Sequence, residues 1–192
     1  MGKIAVFGGS FDPVHKGHIQ IAEAVLKEIA PSKLIFVPAF APPHKVRQYA
    51  DIYDRIAMLK LAIAGLKEAE ISYFEAEKQE IVYSYRTLDY FQGIYPKDEI
   101  MMVVGSDSLL DLPDWKNIDY LTGKYKFIVA KRPDIKFDFR TKYFDRCVFL
   151  RDEIADISST RIRDLICGQN RQAQELLDEN VLAYIKENGL YK

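Results

Sequence analysis

Two histidines and a run of glycines near the start of the sequence are the residues best suited to chemistry. His15 and His18 lie three positions apart and follow the segment Gly8-Gly9-Ser10-Phe11-Asp12-Pro13. Because residues three apart share one face at the start of a helix, both imidazoles can face one ligand. Paired glycines allow close approach of the backbone, and a helix N-terminus offers unsatisfied amides to an anion. The pattern therefore predicts a phosphate site over residues 8–18.

Other interpretations of this segment are weaker. It matches neither the GxGxxG dinucleotide fingerprint nor the GxxxxGK[ST] phosphate loop, which disfavours dehydrogenases and P-loop NTPases. Capping or surface histidines are the structural alternative, but all three histidines of the chain, including His44, follow predicted strands. A metal site is disfavoured because no third ligand stands at a suitable spacing.

A second candidate phosphate site is the segment 157–163, Ile-Ser-Ser-Thr-Arg-Ile-Arg. Its hydroxyl residues are suited to cap a helix, but no Glu or Gln follows three positions later to complete a capping box. The helix start therefore stays electropositive, and Arg163 adds a guanidinium that matches phosphate oxygens. A solvated helix end with an incidental arginine is the alternative, and the presence of the first site disfavours it.

Strand and helix patterns alternate along the chain, and their order indicates how these segments meet. Short apolar, β-branched runs predict strands at residues 3–7, 33–37, 71–74, 99–104, 126–130 and 146–150. Apolar residues at helical spacing predict helices at 18–29, 51–66, 84–94 and 106–121, the last broken at Pro113. Repeated strand–helix units are typical of an α/β fold with a doubly wound parallel sheet, which binds ligands beyond the carboxyl ends of its strands.

The rest of the chain is expected to be helical and to belong to the same domain. From Ser158 the pattern is helical, with breaks at residues 168–170 and a stop at Asn188-Gly189. No repeat, low-complexity tract or linker indicates a second domain. We therefore expect one domain over 1–192, with a parallel α/β core at 1–156 and a C-terminal helical part at 157–192.

Composition limits the class of function. The 192 residues carry a formal net charge of −1, whereas domains that bind polynucleotides usually have a basic excess. Cys147 and Cys167 form no CxxC pair and no secreted framework, so we expect reduced thiols. No apolar run suits a signal peptide or a membrane span. A cytoplasmic protein with neither a nucleic-acid polymer nor a membrane as partner is expected, either a monomer or a homodimer.

Together, the two motifs resemble those of the HxGH nucleotidyltransferase superfamily, and the chain is similar to the bacterial nicotinate-nucleotide adenylyltransferase family in particular. Further matches run along the whole chain. They are Pro42-Pro43-His44-Lys45, Arg55 with Met58, Gly105-Ser106-Asp107-Ser108-Leu109, Leu112-Pro113-Asp114-Trp115 and Arg132-Pro133. The Pro-Pro-His-Lys and Trp115 loops narrow the resemblance to this family.

The resemblance implies a Rossmann-like enzyme that transfers AMP from ATP to nicotinate mononucleotide. The products are nicotinate adenine dinucleotide, used in NAD biosynthesis, and pyrophosphate, and Mg²⁺ is delivered with ATP. The residues implied in catalysis are His15, His18, Lys45 and Arg163. Those implied in ATP binding are Gly8, Gly9, Ser10, Phe11, Gly17, Gly105, Asp107, Arg132, Ser159 and Thr160. Those implied in mononucleotide binding are His44, Tyr83, Ser84, Thr87, Trp115 and Lys116.

Some of these implied roles have alternatives. Asp107 suits a ribose or a metal-bound water, and equally the first turn of a helix; Lys116 suits a carboxylate or solvent. The family's Ser-Tyr-Thr loop reads Val82-Tyr83-Ser84 here, so contacts to the nicotinate carboxylate are expected from backbone amides, and Trp115 is expected to stack on the pyridine ring.

Several rival functions share part of the pattern. Nicotinamide-mononucleotide or dual-specificity, phosphopantetheine and glycerol-phosphate nucleotidyltransferases share the first loop, but the His44 and Trp115 loops disfavour the last two. A non-catalytic nucleotide sensor would be expected to lose a motif histidine or the hydroxyl helix start. A hydride-transferring oxidoreductase would need the missing glycine fingerprint.

Overall fold

A six-stranded parallel sheet forms the centre of the computed structural model, which describes residues 2–41, 48–132 and 143–192. The strands are β1 (Lys3–Gly9), β2 (Lys33–Pro38), β3 (Ala69–Ile71), β4 (Glu99–Gly105), β5 (Lys126–Ala130) and β6 (Cys147–Phe149). Their order is β3-β2-β1-β4-β5-β6, and every neighbouring pair is parallel. The predicted doubly wound α/β fold is confirmed, and the strand order reverses between β1 and β4.

The helices connect the strands and continue after β6. They are α1 (Lys16–Glu28), α2 (Ile52–Ile63), α3 (Phe74–Lys78), α4 (Ser84–Ile94), α5 (Ser106–Leu110), α6 (Ile118–Lys124), α7 (Ser159–Cys167), α8 (Ala173–Leu176) and α9 (Glu179–Glu187). Short 3₁₀ turns occur at Leu112–Asp114 and Phe144–Arg146. None of the helices described is both long and apolar enough to cross a membrane.

Alternate residues of each central strand face two separate apolar layers. Ala5 and Phe7 of β1 pack in one layer with α1, α2, α7 and α9. Ile4 and Val6 pack in the other layer with α4 and α6. This two-residue alternation follows from the pleat of a strand, and burial on both faces explains why the central strands are continuously apolar.

One predicted strand needs correction, whereas the break predicted at Pro113 is present. The run 71–74 was expected to be a strand, but β3 ends at Ile71 and Phe74 begins α3. The Ser72 hydroxyl oxygen accepts a hydrogen bond from the Phe74 amide at 3.3 Å, so the chain turns into a helix there. The expected helix 106–121 is divided into α5, a 3₁₀ turn that contains Pro113, and α6.

Candidate active site

A cavity of about 450 Å³ lies at the carboxyl ends of β1 and β4, where the strand order reverses. This volume is within the usual range of about 300–1,000 Å³ for sites that bind small molecules. The predicted site residues that line it are Gly8, Gly9, Ser10, His15, His18, Tyr83, Ser84, Thr87, Gly105, Asp107, Trp115, Lys116, Arg132, Ser159 and Thr160. Phe11, Gly17 and Arg163 are not among the lining residues. His44 and Lys45 lie outside the described residues.

The histidine pair is fixed by the start of α1. His15 is the N-cap of this helix, and its backbone amide donates to Nδ1 of His18 at 3.2 Å. The two rings stack with their centroids 3.7 Å apart. Because Nδ1 of His18 accepts a hydrogen bond, a neutral His18 ring carries its proton on Nε2. The two imidazoles therefore form one rigid unit in the cavity wall.

His15 is almost completely buried, and burial changes its chemistry. Only 5% of the residue is exposed, and its Nδ1 atom has no hydrogen-bond partner within the described ranges. Burial, and secondarily the nearby Arg132 charge, lowers the pKa of His15 from 6.5 to about 3. The ring is therefore neutral near pH 7. It can offer a phosphate a hydrogen bond but not a positive charge.

Replacing His15 with asparagine is expected to change the pH dependence of stability. Between pH 6.5 and 3 the unfolded state protonates His15 while the folded state does not, so acidification removes up to about 1.4 kcal/mol per pH unit from the free energy of unfolding. The free energy of unfolding of the variant lacks this contribution. Other titrating groups contribute equally to both proteins, so they cancel in the difference. The stability advantage of the wild type over the variant should thus shrink from pH 6.5 to 4.5 in urea unfolding. A constant difference would contradict the low pKa.

Gly17 and Phe11 support the histidines from behind the cavity wall. A Cβ on Gly17 would lie 3.1 Å from Nδ1 of His15 and 3.4 Å from Cβ of Ile157, so glycine allows α1 and the segment before α7 to approach closely. Phe11 has a φ of +48° and is buried, and its ring meets the His18 ring edge-on at 5.0 Å. A strained non-glycine backbone of this kind is found preferentially at functional loops.

The start of α7 joins the second motif to the first. Ser158 caps the helix by accepting a hydrogen bond from the Arg161 amide at 3.2 Å. The Ser159 hydroxyl donates to the carbonyl oxygen of Pro13 at 2.9 Å, across 146 positions of sequence. The two segments that the sequence analysis treated as separate phosphate sites therefore form one surface.

Arg163 lies behind this surface. Its Nη1 donates to the carbonyl oxygen of Asp12 at 2.7 Å, and its Nη2 donates to Oγ1 of Thr160 at 3.0 Å. The guanidinium also lies over the Tyr49 ring, 4.1 Å from the centroid. These contacts hold Thr160 and the β1–α1 loop, so the arrangement favours a positioning role for Arg163.

Asp12 and Arg55 connect the loop to distant parts of the chain. The buried Asp12 carboxylate accepts hydrogen bonds from the amides of Tyr49 and Ala50, at 2.9 and 3.1 Å, and from the hydroxyl of Tyr191 at 2.8 Å. The fully buried Arg55 donates to the carbonyl oxygens of Ser10, Ala39 and Ala50, at 2.6, 2.9 and 3.3 Å. No sequence motif predicts these contacts of Asp12 and Tyr191. The one available signal was Arg55, an arginine among the apolar residues of α2.

The opposite wall of the cavity carries Arg132 and Asp107. The Arg132 amide donates to Oγ of the buried Ser106 at 3.0 Å, which joins the end of β5 to the start of α5. The Arg132 guanidinium lies 3.2 Å from Asp156 and 3.7 Å from Asp107. Asp107 stands in the first turn of α5 and also lines the cavity, so a contact with a ribose or a metal-bound water stays a prediction. Where side chains are described, no three His, Cys, Asp or Glu residues form a metal-binding group.

The start of α4 and the segment after the 3₁₀ turn form the remaining part of the cavity. Tyr83 is the N-cap of α4 and makes no side-chain capping bond. The Arg86 amide donates to the carbonyl oxygen of Tyr83, but no described hydrogen bond is donated by the amides of Ser84 and Tyr85. Trp115 lines the cavity and meets Phe127 edge-on at 6.5 Å. Glu75 of α3 also lines this cavity and was missed by the sequence analysis, which placed the neighbouring residues in a strand.

Comparison with known proteins identifies the family. The cytidylyltransferase-like family model matches residues 6–165. A probable nicotinate-nucleotide adenylyltransferase of Endomicrobium trichonymphae is 58% identical over 100% of both chains. The nicotinate-nucleotide adenylyltransferase of Bacillus subtilis (strain 168) is 34% identical, also over 100% of both chains. The chain belongs to the nicotinate-nucleotide adenylyltransferase family. The predicted family and the predicted nucleotidyltransferase activity are thereby confirmed.

A solved structure supports the fold of this adenylyltransferase independently. Plasmodium falciparum nicotinic acid mononucleotide adenylyltransferase, complexed with NaAD, has a TM-score of 0.83 at 20% identity. The match covers 100% of the present chain and 98% of the other. The Rossmann-like nucleotidyltransferase fold predicted from the sequence is therefore confirmed for the adenylyltransferase.

Proposed function

We propose that this adenylyltransferase joins AMP from ATP to nicotinate mononucleotide in the cavity between β1, α4 and α7. ATP is proposed to bind beside the stacked histidines. The Ser159–Pro13 hydrogen bond supports this position most directly, because it brings both phosphate motifs to one surface there. The mononucleotide then occupies the part formed by Tyr83, Ser84, Thr87, Trp115 and Lys116. His44, in the segment 42–47, is proposed to contact it as well.

The reaction needs no general base. The 5′-phosphate of the mononucleotide is largely dianionic at neutral pH, because its second pKa is about 6. One of its oxygens attacks the α-phosphorus of ATP in line, a new P–O bond forms, and the bond to the leaving pyrophosphate breaks. The enzyme contributes alignment and stabilisation of charge in the transition state.

The proposed residue roles follow from position and charge. His15 and His18 donate hydrogen bonds to the triphosphate, and Arg132 and Lys45 supply positive charge. Gly8, Gly9 and Ser10 allow the phosphates to approach the backbone. At the start of α7, Thr160 offers a hydroxyl donor, and Ser159 lines the same surface while its own hydroxyl holds the carbonyl oxygen of Pro13. Gly105 and Asp107 border the nucleotide from the β4 side. Phe11, Gly17 and Arg163 act indirectly by holding these groups.

A divalent metal ion is typical of nucleotidyltransferases, and we propose Mg²⁺ carried by ATP. Magnesium commonly keeps several waters and phosphate oxygens as ligands, so one carboxylate at the cavity suffices on the protein side. Asp107 fits this need because its side chain is about half exposed and lines the same cavity as the two phosphate motifs. When bound, the ion neutralises charge on the phosphates.

The one-domain organisation, the cytoplasmic location and the choice between monomer and homodimer stay predictions.

Pyrophosphate release tests the proposed function. The enzyme is incubated with ATP and Mg²⁺, and with nicotinate mononucleotide, nicotinamide mononucleotide or no acceptor in parallel. With nicotinate mononucleotide, one pyrophosphate is expected to be released for each dinucleotide formed. Release no faster than in the control without acceptor, for either mononucleotide, would refute transferase function and favour a nucleotide sensor.

Replacing Trp115 with alanine is expected to raise KM for the mononucleotide at least fivefold and to leave KM for ATP unchanged, because the lost stacking is worth about 1 kcal/mol or more. Tyr53→Ala is a matched control, since Tyr53 is an exposed aromatic residue outside the cavity. Trp115 is the single tryptophan of the chain. Its fluorescence should therefore change when nicotinate mononucleotide binds, and unchanged fluorescence would remove Trp115 from the site.

A further inference from the structure

Glu75 is a buried carboxyl group in the wall of the substrate cavity that neither phosphate motif uses. It lies on α3, only 7% of the residue is exposed, and it lines the cavity together with Thr87 and Trp115. The Thr87 hydroxyl donates a hydrogen bond of 2.7 Å to Oε1 of Glu75. The carboxyl is therefore attached to the first turn of α4, at the proposed mononucleotide end of the cavity.

Because Glu75 is buried, both its protonated and its ionised form are populated near neutral pH. Burial raises the pKa of Glu75 to about 7, and the hydrogen bond from Thr87 acts in the opposite direction. On its other side α3 meets α2 through the apolar Ile52 and Ile56. No described charged group contributes to this shift. The titratable residues in the same cavity are Tyr83 before α4, Lys116 after the 3₁₀ turn, Asp107 on α5, Arg132 after β5, and His15 and His18 at α1.

The start of α4 favours a negative charge, whereas burial disfavours the negative charge of Glu75. It has no acidic residue in its first turn and no side-chain cap, so its amides and its dipole favour an anion. An ionised Glu75 beside these amides disfavours the same anion, because two carboxylates in one site raise the cost of ionising both. Protonation of Glu75 removes the repulsion and provides an O–H donor.

Resting on the proposed function, we propose that Glu75 is a specificity-determining residue that senses the charge of the pyridine substituent. Its protonated form accepts the carboxylate of nicotinate mononucleotide, and its ionised form disfavours that carboxylate. The uncharged carboxamide of nicotinamide mononucleotide is affected little by either form. Binding of nicotinate mononucleotide is therefore coupled to uptake of a proton by the enzyme.

Calorimetric binding of nicotinate mononucleotide at pH 7.5, in buffers of different ionisation enthalpy, measures this proton. About three-quarters of Glu75 is ionised at that pH, so the wild type should take up about 0.7 more protons than Glu75→Gln. The glutamine variant keeps the volume of the side chain and an acceptor for Thr87. Titration of the mononucleotide's own phosphate is common to both proteins and cancels. Equal proton uptake would overturn the proposal.

The pH profile of specificity provides a second measurement. The ratio of kcat/KM for nicotinate mononucleotide to that for nicotinamide mononucleotide should fall about tenfold from pH 6 to 8 in the wild type. It should stay constant in Glu75→Gln, at the value that the wild type has at low pH. A structural role alone would change both substrates equally at every pH, and that outcome would refute the specificity role.

Thr87→Val keeps the test decisive if Glu75→Gln fails to fold. This change removes the hydrogen bond that favours the ionised carboxyl, so the midpoint of the specificity profile should move to higher pH. An unchanged midpoint contradicts the proposal. If nicotinate mononucleotide reacts but the specificity ratio does not change with pH, only the role of Glu75 is refuted. If neither mononucleotide supports pyrophosphate release, the proposed function itself is refuted.

Discussion

Replacing His18 with alanine is expected to lower kcat by two to three orders of magnitude while the protein remains folded. Several contacts hold the His18 ring, among them the hydrogen bond from the His15 amide, stacking on the His15 ring and the edge contact with Phe11. A donor oriented in this way before the reaction is worth about 3 kcal/mol when it meets charge that develops in the transition state. Because the interaction is made chiefly in the transition state, kcat and kcat/KM should fall together.

Lys16→Gln is the matched control for this measurement. Lys16 belongs to the same motif, but its Nζ donates to the carbonyl oxygen of Glu175 at 2.7 Å, and its side chain does not line the cavity. Turnover of this variant should stay within a factor of a few of the wild type, as for a surface change. Circular dichroism and the melting temperature check folding in both variants. Near-normal turnover of His18→Ala in a folded protein would remove His18 from the mechanism.

Replacing Arg55 with methionine is expected to lower the free energy of unfolding by about 3–5 kcal/mol, because one side chain serves several buried carbonyl groups. Methionine fills much of the volume but leaves the carbonyl oxygens of Ser10, Ala39 and Ala50 without their donor. Burial lowers the pKa of Arg55, and the nearby Asp12 partly offsets this effect. The guanidinium stays charged because arginine has so high an intrinsic pKa. Urea unfolding at neutral pH gives the value.

Arg86→Met is the control for Arg55. Arg86 makes a single ion pair with Glu80 at 3.0 Å, and about 41% of its side chain is exposed. Exposed pairs contribute about 0–1 kcal/mol, so this variant should be nearly as stable as the wild type. If the two variants were destabilised equally, the buried hydrogen bonds of Arg55 would not be its main contribution.

The fold could be predicted wherever local pattern and final environment agree. Strand β5 and helix α4 have the predicted bounds because the apolar periodicity of each matches a buried face, with Phe127 and Val129 of β5 and Leu88 and Phe91 of α4 in one layer. Strand β3 was placed too late because Ser72 starts a turn into α3, and an apolar run of four residues does not distinguish the two conformations. Secondary structure near an edge strand therefore depends on single side-chain hydrogen bonds.

The site could be predicted only as far as its local motifs extend. His15 and His18 could be found from their spacing after β1, and Asp107 was implied by the family resemblance. The loops after β1 and β4 meet at one edge of the parallel sheet, which brings these residues into one cavity. Whether a residue faces the cavity or lies behind it depends on partners that are distant in sequence. Arg163, for example, packs on the Tyr49 ring. The neutral state of His15 likewise depends on burial, which its neighbours in sequence do not reveal.

The hydrogen bond between Tyr191 and Asp12 affects the order in which the enzyme can be assembled during translation. Its two ends are 179 positions apart, so the β1–α1 loop leaves the ribosome long before one of its supports has been made. Ser159, which holds the same loop through Pro13, is also made late. A nascent chain that stops before residue 159 lacks both supports. The ability to bind ATP is therefore expected only after Ser159 and Tyr191 have been translated.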